Sequence, residues 1–174
     1  SPFYIETEIF IDNFLGVSNT PQLSVPPIDN GATNQVYNYN SGAYDIDGDS
    51  LAFELVIPLQ DANSAVFGYL SPGNPQFVGG NNIFNLDPVT GTITWDYPLM
   101  AGLYNIAYKI KEYRNGNLLG YIHRDMQINI IETNNTKPEL IFPQTVCYIA
   151  GDIISELIIA NDVDGDDIEL QAFG

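Results

Sequence analysis

The 174-residue sequence has one cysteine, Cys147, and one histidine, His123. No disulfide can form within the chain, no thiolate cluster can hold zinc, and a metal site built on several imidazoles is excluded. Cys147 reads as a buried strand position, and His123, beside Arg124 in a strand, as a surface one. Basic residues are scarce as well: 5 Lys and Arg face 22 Asp and Glu, giving a formal net charge of −17. Such a chain repels a phosphate backbone or an anionic membrane face, so no nucleic acid and no lipid surface is expected as a partner. No run of roughly 18 apolar residues exists for membrane insertion, and Ser1 does not begin a signal peptide. Also missing are a Gly-x-Ser-x-Gly elbow, a phosphate-binding loop and a pair of acids facing each other across a cleft. No catalytic residue is assigned, and the chain reads as a non-enzyme.

Alternation is what the sequence has in abundance. Thr7–Ile11, Leu51–Leu55, Thr92–Trp95 and Tyr104–Ile110 alternate apolar and polar residues, the period of a strand with one buried face. Turn signals separate them at Pro72–Asn74, Gly79–Asn82 and Asp87–Gly91. Nothing as long as about ten residues reads as a helix. The clearest hairpin spans Tyr104 to Ile130, where Asn115-Gly116 supplies the two positive φ angles of a tight type I′ turn. Tyr104, Ile106, Tyr108 and Ile110 share one face, opposed by Met126, Ile128 and Ile130. These faces, with Trp95, are expected to line the core of a β-sandwich.

Two segments recur in the same order. Asn19-Thr20-Pro21-Gln22-Leu23 returns loosely as Asn135–Leu140, and Asp45-Ile46-Asp47-Gly48-Asp49-Ser50-Leu51 returns as Asp162–Ile168. The acidic motifs are 117 residues apart (162 − 45), about the length of one immunoglobulin-like domain. The expected organisation is therefore residues 1–17 as the C-terminal strand of a preceding repeat, 18–136 as one β-sandwich repeat, and 137–174 as the opening of a following, incomplete one.

In Asp-x-Asp an extended backbone points both carboxylates to one side, and the glycine lets the third aspartate approach them. Like charges this close repel by about 4 kcal/mol at roughly 4 Å and an effective dielectric near 20. A calcium ion, which takes about 6–8 hard oxygen ligands, would relieve that repulsion. Asp45, Asp47 and Asp49, and likewise Asp162, Asp164 and Asp166, are the candidate ligands. An EF-hand does not fit, because it needs glycine at loop position 6 and Glu at position 12. The bland reading is a solvated turn in which the aspartates bond backbone amides. It is weaker for the second loop, where five acids lie between Asn161 and Glu169. Among the 11 tyrosines, Tyr97, Tyr113 and Tyr121 are candidates for stacking on sugars.

The run Asp45–Leu55 followed by Phe84–Trp95 resembles a bacterial cadherin-like, dystroglycan-type repeat. Pro26–Asn30, Gly42–Asp45, Lys111–Gly116 and Arg124–Ile128 are similar to the large, secreted, gliding-motility-associated surface proteins of Bacteroidetes. The resemblance implies an all-β immunoglobulin/cadherin-like fold in tandem repeats, with calcium at the junctions. Asp162 and Asp164 would then work with Glu132, Asn134 and Asn135, while Asp45 and Asp47 would face Asp12, Asn13 and Asn19. Neighbouring repeats of the same chain would be the first partners, with a surface polysaccharide or another cell-surface protein beyond them. The function read from this is a structural, adhesive repeat of a secreted or cell-surface protein. The alternative, from another class, is a carbohydrate-binding module of a secreted polysaccharide-degrading protein.

Overall fold

A computed structural model of the protein describes residues 4–11, 13–79, 83–141, 147–149, 151 and 153–170. Asp12, the Gly80–Asn82 part of the expected turn and residues 171–174 lie outside them. The chain divides into two compact units, Ser1–Thr133 and Asn134–Gly174. The fold is all-β, and no helix long and apolar enough to cross a membrane occurs among the described residues.

In the first unit the strands are β1 (Glu6–Ile9), β2 (Gln22–Leu23), β3 (Ile28–Ala32), β4 (Tyr37–Asn40), β5 (Ala43–Tyr44), β6 (Ser50–Val56), β7 (Leu59–Asp61), β8 (Ser64–Ala65), β9 (Phe84–Leu86), β10 (Thr92–Trp95), β11 (Gly102–Arg114) and β12 (Asn117–Ile131). The second unit contains β13 (Glu139–Ile141) and β14 (Ile159–Asn161). The largest sheet runs β1-β12-β11-β6, with β3 parallel to the later half of β12. A three-stranded sheet runs β4-β10-β9.

The long hairpin of β11 and β12 has the turn its sequence calls for, with φ of 51° at Asn115 and 80° at Gly116. Its register pairs Ile106 with Met126 and Tyr104 with Ile128, so the apolar faces identified from alternation meet on one side. They pack with Tyr37, Tyr39, Ile93 and Trp95 of the smaller sheet in one core cluster, where Ile93, Trp95, Ile110, Met126 and Ile128 are wholly buried. Each such side chain contributes about 1.5–3 kcal/mol relative to exposure.

Residues 1–17 contribute β1, which is hydrogen-bonded antiparallel along β12 from Glu6 opposite His123 to Ile9 opposite Gly120. Two readings of single residues need correction. His123 is 2% exposed rather than a surface residue, because the lead-in to β1 lies over it, with the Tyr4 ring edge-on at 5.7 Å. Cys147 is exposed and outside any strand.

The second unit repeats a small piece of the first. Strand β2 pairs with β5 as Gln22 opposite Tyr44 and Leu23 opposite Ala43. Strand β13 pairs with β14 as Glu139 opposite Asn161 and Leu140 opposite Ala160. Each of these four residues stands 117 positions after its counterpart (139 − 22, 161 − 44), the same offset as the acidic loops.

Candidate functional site

The turn from Asp45 to Asp49 links β5 to β6. Asp45 Oδ1 accepts hydrogen bonds from the Asp47 N–H at 2.9 Å and the Asp49 N–H at 3.0 Å, which winds the chain around that carboxylate. Gly48 closes the turn at φ 83°, in the left-handed region that costs an L side chain strain. Asp47 is clasped by Asn19, whose N–H donates to Oδ2 at 2.7 Å and whose Nδ2 lies 3.2 and 3.1 Å from Oδ1 and Oδ2. One oxygen from each of Asp45, Asp47 and Asp49 falls within 4.8 Å of the others. That is a span one calcium ion bridges, since its ligand oxygens lie about 2.3–2.6 Å from it.

Two further charged residues complete the site, and both come from the end of β11. The core-facing positions Ile106, Tyr108 and Ile110 continue in the same phase to Glu112 and Arg114, beyond the apolar part of the sheet. Glu112 is 3% exposed. It accepts a short hydrogen bond from Ser18 Oγ. Burial pushes its carboxyl above the ordinary value, against the Ser18 bond, and the nearby Asp45 and Asp49 add to the rise.

Arg114 forks onto Asp49, Nε to Oδ1 at 2.8 Å and Nη2 to Oδ2 at 2.6 Å, a bidentate pair. This guanidinium, with Ser18 Oγ 3.0 Å from Asp49 Oδ2, holds the Asp49 carboxyl below the ordinary carboxylate value. Arg114 Nη1 also donates to the carbonyls of Leu15 at 2.8 Å and Val17 at 3.2 Å, binding the segment before Asn19 to the loop.

Asp49, Asp47 at 4.0 Å and Glu112 therefore all act on one guanidinium. Both oxygens of Asp49, expected as a ligand, are engaged by Arg114. Asp45 Oδ2 is buried without a hydrogen-bond partner. A buried carboxylate oxygen left unpaired is costly and fits a bound cation. The carboxylate oxygens that converge are those of Asp45, Asp47 and Asp49, with the unpaired Asp45 Oδ2 among them and Glu112 close enough to raise the local negative charge. Glu112 was not among the candidates read from the sequence, although an acid in the core phase of an apolar strand was a usable signal.

The second loop has the same backbone arrangement. Asp162 Oδ1 accepts from the Asp164 N–H at 2.8 Å and the Asp166 N–H at 3.3 Å, and Gly165 has φ 83°. The Thr136 N–H donates to Asp164 Oδ2 at 2.5 Å, as Asn19 does to Asp47. Asp164 and Asp166 are exposed, and the 4.8 Å convergence occurs among the described residues only in the first loop. Glu132 is exposed just past β12 in the first unit, and Asn134 is exposed at the start of the second.

The tyrosines singled out for sugar stacking are scattered. Tyr97 is 42% exposed at φ 49°. Tyr113 is half-buried at the end of β11. The Tyr121 ring lies under Lys109 Nζ at 3.7 Å, and its hydroxyl donates to Glu6.

No family model matches the sequence, and comparison with curated proteins finds none that matches. Among solved structures, the N-terminal four Ig domains of Dscam1 isoform 9.44 align with 72% of this chain and 27% of that one, at 10% identity and a TM-score of 0.31. The chain spans about a quarter of that structure's length, and a likeness at this level leaves the site to be read from its own geometry.

Proposed function

We propose that the first unit is a non-catalytic, immunoglobulin/cadherin-like β-sandwich repeat of a secreted or cell-surface protein. In this reading a calcium ion at the Asp45–Asp49 loop stiffens the point where the preceding segment joins the sandwich. The observation that carries it is the buried, unpartnered Asp45 Oδ2 within a cluster whose Asp45, Asp47 and Asp49 oxygens lie within 4.8 Å of one another. Calcium would neutralise the charge that Arg114 leaves on this cluster, since the guanidinium pairs with Asp49 at 2.6 Å and reaches Asp47 only at 4.0 Å. Because Arg114 and Asn19 tie the segment from Leu15 to Asn19 to the same loop, binding there restrains that segment. The loop at Asp162, Asp164 and Asp166 is the same device at the matching place of a second repeat, supported by the constant offset of 117 residues (162 − 45). Adhesion and the secreted, gliding-motility-associated setting follow from the sequence resemblance. The partners are neighbouring repeats, then a surface polysaccharide or another cell-surface protein.

The test is thermal unfolding of the chain, first with chelator and then with excess calcium, with small-angle scattering in both states. Calcium should raise the melting temperature of the transition reported by Trp95, the sole tryptophan, and narrow the scattering envelope. If neither changes, the aspartates are only turn formers and the calcium reading fails. Asp45→Asn should remove the effect, because it strips the charge from the unpaired oxygen without altering the size of the side chain.

A further inference from the structure

A groove of about 620 Å³ lies between the start of β11 and the segment from Pro58 to Phe77, at the end of β11 away from Glu112. Tyr69, Phe77 and Tyr104 bring three rings to it. The Tyr104 ring is held edge-on against Trp95 at 4.8 Å and against Phe77 at 5.3 Å, and its hydroxyl donates to the Met100 carbonyl at 2.8 Å. The Tyr69 hydroxyl donates to the Asn105 carbonyl at 3.0 Å. Both hydroxyls therefore have partners within the protein, which fixes the rings before any ligand arrives.

Asn105 and Gln127, opposite each other on β11 and β12, also line the groove. Gln127 Nε2 lies 3.4 Å from Asn105 Oδ1. That bond leaves Asn105 Nδ2 as a donor and Gln127 Oε1 as an acceptor, side by side. Among the described residues no charged side chain lines the groove, although the chain has a net charge of −17.

We propose that this groove is a binding site for a neutral oligosaccharide. Pre-set rings offer apolar faces to the C–H faces of a sugar. An adjacent donor and acceptor match neighbouring hydroxyls, each of which both donates and accepts. The uncharged lining gives an anionic polysaccharide no counter-ion. A concave, mostly apolar site with a few placed polar groups is the general form of a small-ligand pocket. This site shares no residue with the calcium loop, so the two readings stand or fall separately.

The test is titration of the whole chain with a panel of neutral hexasaccharides: β-1,4-glucan, β-1,4-mannan, β-1,4-xylan and α-1,4-glucan. Binding would be read by Trp95 fluorescence and by NMR of the Asn105 and Gln127 side-chain amides. At least one member should bind and shift both amide signals. Asn105→Ala and Gln127→Ala should each weaken it by about tenfold, the loss of one well-made hydrogen bond, with the melting temperature unchanged. The amide shifts in the unsubstituted chain keep the test valid if a variant folds poorly. The proposal is overturned if no member binds at millimolar concentration, if both variants bind as the parent does, or if only apolar peptides engage the groove.

Discussion

In the first acidic loop the Asp49 side chain is 6% exposed beneath Arg114, whereas the matching Asp166 of the second loop is exposed to solvent. The backbone does not account for this, since Asp45 and Asp162 each gather the amides two and four residues on, and both glycines have φ 83°. The difference comes from what packs against the turn. Strand β11 brings Glu112 and Arg114 to the first loop, while the described residues of the second unit contain only the β13–β14 pair. An Asp-x-Asp-Gly-Asp sequence thus suffices to wind the turn, and convergence of its carboxylates comes with a neighbouring strand that supplies a counter-charge.

The largest break in this comparison should come from Arg114→Ala. It leaves the Asp49 carboxylate, 6% exposed, without the cation that both its oxygens bond, so the fold should lose stability. Urea unfolding followed by Trp95 fluorescence should show that loss, whereas Asp166→Asn in the second loop should leave the transition in place. Next in size is the calcium response: at a free concentration about 100 times its dissociation constant the ion should stabilise the first unit by about 2.7 kcal/mol. Asp45→Asn should abolish this shift and Asp162→Asn should not. Equal loss from both would mean that the loops act as one site and that the contrast is wrong.

Acidity offers a finer probe. Glu112 titrates above its ordinary value in the fold, so the folded state keeps that proton to higher pH than the unfolded chain does. Its contribution is greatest below the ordinary carboxylate value and is lost as pH rises through the raised one. Asp49 is held low, so its contribution is present above the ordinary value and is lost as pH falls through the lowered one. In chelator, Glu112→Gln should flatten the first dependence and spare the second. The smallest effect is expected from Gly48→Ala. Its added methyl meets open space and costs only backbone strain, about 1 kcal/mol. Gly165→Ala should not move the Trp95 transition at all.

Much of the architecture was legible in the residues. Alternation located β6, β10 and the core of β11, and Asn115-Gly116 identified the hairpin, because strand period and turn chemistry are local properties. The two acidic turns were legible for the same reason. Other placements were not local. His123 is buried by Tyr4 from a segment more than a hundred positions earlier, and nothing adjacent in sequence announces that cover. Strand β11 extends past Ile110 into charged residues, where the apolar signal stops although the ladder to β6 continues.

By itself the sequence determined the strands, the tight turns, the winding of both aspartate loops and the excess of negative charge. These depend on side-chain period, on glycine at positive φ and on carboxylates that bond nearby amides. Tertiary structure alone decided which carboxylates share a site, that Arg114 claims Asp49, that Glu112 is buried close to the first loop, and that Asn105 and Gln127 meet in a ring-lined groove. Each of those outcomes joins residues from different strands, and their pairing is set by sheet register and core packing, which no single segment encodes.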